Sequence, residues 1–189
     1  MTIRLRGLGA ATAVLALSAV AFADTAKVPD GVDATETGSV GGMEALSELV
    51  AGRWSGRGEV LVKMTQTRPY DVKCDFEGGG ESDGELTMAG ECGALFVKRG
   101  IKFALAQTGD ALEGTYDASL RTGVAALSGT RTGDMVDLRI VWNGEVNGDT
   151  EASMTIERQG EDALRILVRD VDPATGEERV TTDLSLTRN

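Results

Sequence analysis

From Trp54 to the end of the chain, apolar and polar side chains alternate with a period of two. Apolar residues fall on even positions in Val60, Val62 and Met64, then in Val72, Cys74 and Phe76, and again in Leu86, Met88 and Cys92. The pattern continues through Leu112 and Tyr116; Val136, Leu138, Ile140 and Trp142; Ala152, Met154 and Ile156; Leu164, Ile166 and Val168; and Val180, Leu184 and Leu186. One segment, Ile101, Phe103 and Leu105, runs on odd positions instead, with Lys102 facing out. A dry face and a wet face on every strand is the mark of antiparallel sheet over a single core. Turn chemistry separates the strands: Asp83-Gly84, Gly109-Asp110, Gly133-Asp134, Asn143-Gly144, Asn147-Gly148, Gln159-Gly160 and Asp172-Pro173-Ala174-Thr175-Gly176. These are hairpin connections, because none leaves room for a crossover helix. The expected fold is all-β, an up-and-down barrel of about 8–10 strands whose closure removes the exposed edges. A two-sheet sandwich is the alternative.

Ahead of the strands the pattern changes. Met43, Leu46, Leu49 and Val50 have helical spacing, so residues 42–51 are expected to form one short amphipathic helix. Residues 24–41 are small, polar and aperiodic, and are read as a disordered leader. Residues 1–23 have the layout of a cleavable export signal: Arg4 and Arg6, an apolar stretch from Leu8 to Val20, and the small-x-small triplet Ala21-Phe22-Ala23. Cleavage is expected after Ala23, which places the product in the periplasm or outside the cell. The domain then spans residues 42–189, and no segment approaches the ~20 apolar residues of a transmembrane helix.

Charge and composition narrow the function. Removing the signal takes two of the 19 basic residues and none of the 30 acidic ones, leaving 17 against 30 and a net charge of −13. Such a chain is expected to be repelled by nucleic acid and by anionic membrane surfaces. Histidine is absent altogether, which removes the commonest general base and the commonest transition-metal ligand. No cofactor, metal site or catalytic residue is indicated, and an enzyme is not expected.

The two cysteines speak to the fold. Antiparallel partners share a constant index sum, and for Cys74 and Cys92 that sum of 166 centres the turn on residue 83, inside Ser82-Asp83-Gly84. Facing cysteines on one hairpin of an exported protein are expected to form a disulfide.

The segment Gly52-Arg53-Trp54-Ser55-Gly56-Arg57-Gly58 opens the first strand. Here the chain resembles calycin-type barrels: lipocalins carry G-x-W at this place, and nitrobindin-like proteins carry G-x-W-x-G-x-G. The resemblance implies that Trp54 plugs one end of the barrel, while Gly52, Gly56 and Gly58 let the strand bend. It does not bring haem with it, because those relatives bind haem through a histidine that this chain lacks. The hairpin disulfide is similar to that of small periplasmic barrels that inhibit metalloproteases, though the N-terminal arm has no matching inhibitory motif. The overall layout, including the Asp172-Pro173-Ala174-Thr175-Gly176 turn, also resembles a group of proteobacterial exported proteins without an assigned activity.

Ten strands enclose a wide lumen, and its inward residues include few large aromatics. Such a lumen either is packed or flattened with no ligand or holds a small apolar molecule, lined by Val60, Val62, Met88, Leu138, Ile140, Met154 and Ile166. The alternative is a protein-interaction or inhibitor module that meets an envelope protein through its loops or the 24–41 arm. The oligomeric state is left open by the sequence. The acidic, glycine-rich segment Glu77 to Glu85 matches no calcium loop and is read as a solvated hairpin tip. Carboxylates elsewhere are assigned to outward positions.

Overall fold

Period-two alternation translates directly into strands. The computed structural model describes residues 45–63 and 67–189. These hold ten strands: β1 (Gly52–Lys63), β2 (Thr67–Gly79), β3 (Glu85–Ala94), β4 (Val97–Thr108), β5 (Ala111–Asp117), β6 (Ala125–Thr132), β7 (Met135–Val146), β8 (Asp149–Arg158), β9 (Ala163–Val171) and β10 (Glu178–Arg188). Each pairs antiparallel with its neighbour in sequence, and β1 pairs with β10, so the sheet is a closed barrel rather than a sandwich. No helix among the described residues is long and apolar enough to cross a membrane. The signal, the leader, Met43 and Met64 lie outside the described residues.

The β2–β3 hairpin has the register expected from the index sum. Cys74 faces Cys92 with Cα atoms 4.1 Å apart, and the sulfurs are within bonding distance. Inward residues from all ten strands then merge into one continuous core.

Three details differ from the expected pattern. A tenth strand, β6, buries Ala125 and Leu127 on odd positions, and its small residues and hydroxyls give little alternation to read. In β10 the register shifts between Val180 and Thr182, a bulge that turns Thr181 inward. Val180, assigned to the core by parity, is consequently exposed. The expected helix over residues 42–51 is a single 3-10 turn, Ser47–Leu49, because a segment this short cannot offset helix nucleation. Its apolar residues Leu46, Leu49 and Val50 are nonetheless fully buried.

That turn seals one end of the barrel. Leu46 N donates to Asp83 O at 2.8 Å, and the Trp54 indole Nε1 donates to Val50 O at 2.8 Å. The Arg188 guanidinium lies 4.6 Å above the Trp54 ring, and Asn189 N donates to Arg53 O. Gly56 and Gly58 pass so close to β10 that a Cβ on either would sit about 2 Å from a carbonyl oxygen, of Ser185 and Asp183 respectively. The G-x-W-x-G-x-G segment thus lets β1 seal against its partner strand.

Candidate functional site

The opposite end of the barrel, the mouth, is where β1 ends and β2 begins, and where the β3–β4, β5–β6, β7–β8 and β9–β10 turns lie. Its inner wall is of mixed character. Tyr116 on β5 and Trp142 on β7 form a tilted ring pair with centroids 5.6 Å apart. Val60, Ala94, Ile101, Leu120 and Val146, partly buried like Tyr116, pack against the core from this end. Polar residues stand among these apolar ones. Asp170, at the inward end of β9, is only 3% exposed, and it accepts hydrogen bonds from Thr181 Oγ1 and from Asn147 Nδ2 at 3.3 Å, both to Oδ2. Arg179 faces Asp170 across the β9–β10 ladder and reaches Asp172 Oδ2 at 3.6 Å.

Several of these polar atoms are buried without a partner: Asp170 Oδ1, Trp142 Nε1, Arg179 Nε and, from the β5–β6 loop, Thr122 Oγ1. Among the described residues the one other such atom is Arg188 Nε, at the sealed end. Buried polar groups are nearly always satisfied, so four orphans around one opening form a built-in set of unmet donors and acceptors.

The electrostatics follow from this burial. Desolvation raises the Asp170 carboxyl above the usual carboxylate range, against the opposing pull of Thr181, Asn147 and Arg179. Burial, with help from the Asp117 and Asp170 carboxylates, pushes the Tyr116 phenol up to about 12. Tyr116 therefore remains a neutral hydroxyl at physiological pH.

The seven residues expected to line the lumen divide between two environments. Met88, Leu138, Ile140, Met154 and Ile166 are buried and packed against one another within the core cluster. Val60 is half-buried near the mouth, and the Val62 side chain lies outside the described residues. Gly52, Trp54, Gly56 and Gly58 sit at the sealed end and along the β1–β10 seam. The outward assignment of carboxylates fails at Asp170, whose even position continues the inward parity of Leu164, Ile166 and Val168. That parity was available in the sequence. Arg179 and Thr181 carried no such signal, because the bulge in β10 breaks the pattern.

A second concavity of about 1260 Å³ is lined by Arg57, Lys73, Asp75, Glu91, Lys98, Arg165 and Asp183, among others. Its charges are already engaged in part: Arg165 forks onto Asp183 at 2.8 and 2.9 Å, and Lys98 bonds Glu91. The fork holds the Asp183 carboxyl below its usual range.

Among solved structures, the chain is similar to Rv2717c from M. tuberculosis, with a TM-score of 0.55 and 17% identity, covering 75% of this chain and 93% of that one. This likeness concerns the barrel fold alone. No family model and no curated protein matches the chain.

Proposed function

We propose that this chain is a calycin-type barrel acting outside the cytoplasm as a non-catalytic binding module for a small amphipathic molecule. The ligand sits in the mouth, where the unpartnered polar atoms lie, rather than deep in the lumen, where the buried side chains are apolar. Its apolar body lies along Tyr116, Trp142 and Val60, and its polar group meets the Trp142 indole N–H, Asp170 and Arg179. The observation that carries this reading is the cluster of unpartnered buried polar atoms beside an aromatic pair. Ligand sites typically combine a mostly apolar wall with a few convergent polar groups. An unmet buried donor or acceptor costs about 1–3 kcal/mol, and a ligand that satisfies several of them recovers that energy on binding.

The test is native mass spectrometry of the protein purified from its own source, joined to displacement of anilinonaphthalene sulfonate by medium-chain fatty acids. The expected result is a small-molecule adduct in the wild type that weakens about tenfold or more in Asp170→Leu, which removes a charge-assisted hydrogen-bonding group from the mouth. Bare polypeptide in every spectrum, with no displacement of the dye, would overturn the reading.

A further inference from the structure

The β3–β4 hairpin ends in a turn whose chemistry runs against its position. Leu95 and Phe96 form the two-residue connection, and Leu95 takes a φ of 54°. Such turns call for Asn or Gly, because a branched or bulky side chain in the left-handed region is strained. Here both residues are large and apolar, and neither packs on anything: Leu95 is 94% exposed and Phe96 101%. Val97, the next residue, is 61% exposed. The protein thus holds an unfavourable turn and an unburied apolar surface with no internal return. Strain of this kind points to a role outside the fold.

The surroundings of the tip indicate its partner. Lys98 and Arg99 follow directly, and Arg121 and Val124 stand on the neighbouring β5–β6 loop. The two segments are tied together: Arg99 Nη1 donates to Ser119 O at 3.2 Å, and Ser119 Oγ donates to Gly100 O at 2.8 Å. Behind them, the Cys74–Cys92 pair holds the base of the hairpin. Neither 95–99 nor 118–124 contains a carboxylate, so this tip departs locally from the repulsion of anionic surfaces that the formal net charge of −11 predicts for the chain as a whole. Of the flanking acids, Glu91 bonds Lys98 and Asp117 accepts from Ser119 N. Arg99 and Arg121 are outside any ion pair among the described residues.

An apolar apex with cations set back along the strands is a matter of depth. At ~3.3 Å per residue, Lys98 and Arg99 stand about 7–10 Å behind the tip. Interfacial segments bury their apolar face to about 5–10 Å, while basic side chains stay at the level of the headgroups. A protein-binding hot spot would instead be expected at the centre of a flat patch with a polar rim around it.

We propose that the β3–β4 tip, with the β5–β6 loop beside it, docks this protein on an anionic lipid surface, inserting Leu95, Phe96 and Val97 and placing Arg99 and Arg121 among the phosphates. This docking stands independently of the ligand in the mouth, and its test reads vesicle binding rather than ligand binding. The purified chain, with its mass verified so that an uncleaved apolar leader does not contribute, is floated with vesicles of phosphatidylcholine alone or mixed in equal parts with phosphatidylglycerol. The expected result is partition onto the mixed vesicles only, weakened about tenfold by Phe96→Asp and likewise by the double change Arg99→Glu and Arg121→Glu. Raising the salt to about 0.5 M should also release the wild type. Phe96→Trp keeps the tip apolar, and the emission of the introduced indole should be quenched by brominated acyl chains. The proposal is overturned by absent partition, by equal partition onto neutral vesicles, or by Phe96→Trp emission that the brominated chains leave unquenched. Self-association that disappears in Phe96→Asp, without vesicle binding, would overturn it too by giving the tip to a second copy of the chain.

Discussion

The two ends of the barrel arise from the same alternation of side chains, yet they are finished in opposite ways. At the sealed end Trp54 is fully buried, its N–H reaches a backbone carbonyl, and the 3-10 turn covers it with Leu46, Leu49 and Val50. At the mouth Trp142 is almost as deeply buried, but its N–H meets nothing, and one atom each of Asp170 (Oδ1), Arg179 (Nε) and Thr122 (Oγ1) is likewise without a partner. A barrel end can therefore be closed cheaply when the chain itself supplies backbone partners. The mouth forgoes that closure and keeps polar groups whose burial weakens the fold, which is the feature on which the proposed ligand site rests.

The contrast is most exposed to failure at its two tryptophans. Trp54→Ala should cost about 3–5 kcal/mol in urea unfolding, because it empties a site that nothing else fills. Trp142→Ala should cost distinctly less, and equal losses would erase the distinction between the ends. Next in size is the hairpin staple: Cys74→Ser should cost about 2–4 kcal/mol under oxidising conditions. An unchanged Tm would mean that the two sulfurs are not bonded. Smaller still is the effect of the indole N–H alone. Trp54→Phe breaks the bond to Val50 O and should cost about 1–3 kcal/mol, whereas Trp142→Phe should stay within about 1 kcal/mol of the wild type. Calorimetry on this pair reads the comparison most directly.

The smallest effect is one of pH, and it has opposite signs inside and outside the barrel. Asp170 holds its proton more tightly in the folded state than in the unfolded chain. Stability is therefore lost as pH rises from the ordinary carboxylate value of 3.8 through the raised folded value. Asp170→Asn should raise Tm at neutral pH, and that gain should fade as pH falls back through the window. Asp183, drawn down by the Arg165 fork, behaves in reverse: its contribution is present above 3.8 and disappears as pH falls through the lowered folded value. Melting curves from neutral to about pH 3 separate the two. A pH-independent gain in Asp170→Asn would show that its carboxyl is not perturbed by burial.

Much of this was legible in the chain. The alternation marks nine of the ten strands, and the cysteine index sum yields the β2–β3 register residue for residue, because both depend on local spacing that a strand cannot evade. The bulge at Thr181 was hidden, since a single added residue leaves no trace in a binary pattern and reverses the facing of everything beyond it. That reversal is what brings Arg179 and Thr181 to Asp170. The sealed end could be anticipated from Trp54 and its glycines. The mouth could not, because it is assembled from the ends of β5, β7, β9 and β10, and only their closure into a ring brings these residues together.

The pairing of β1 with β10 also has a temporal consequence. Trp54 lies opposite Arg188, so the seam of the sheet joins residues separated by nearly the whole folded chain. Until the last strand is in place, every partial product has two unsatisfied edges and no ring, and such topologies fold slowly. A chain truncated within β10 should therefore not be a smaller barrel but a sticky open ribbon. The strand Glu178–Arg188, an ordinary alternating segment in the sequence, decides when folding can finish.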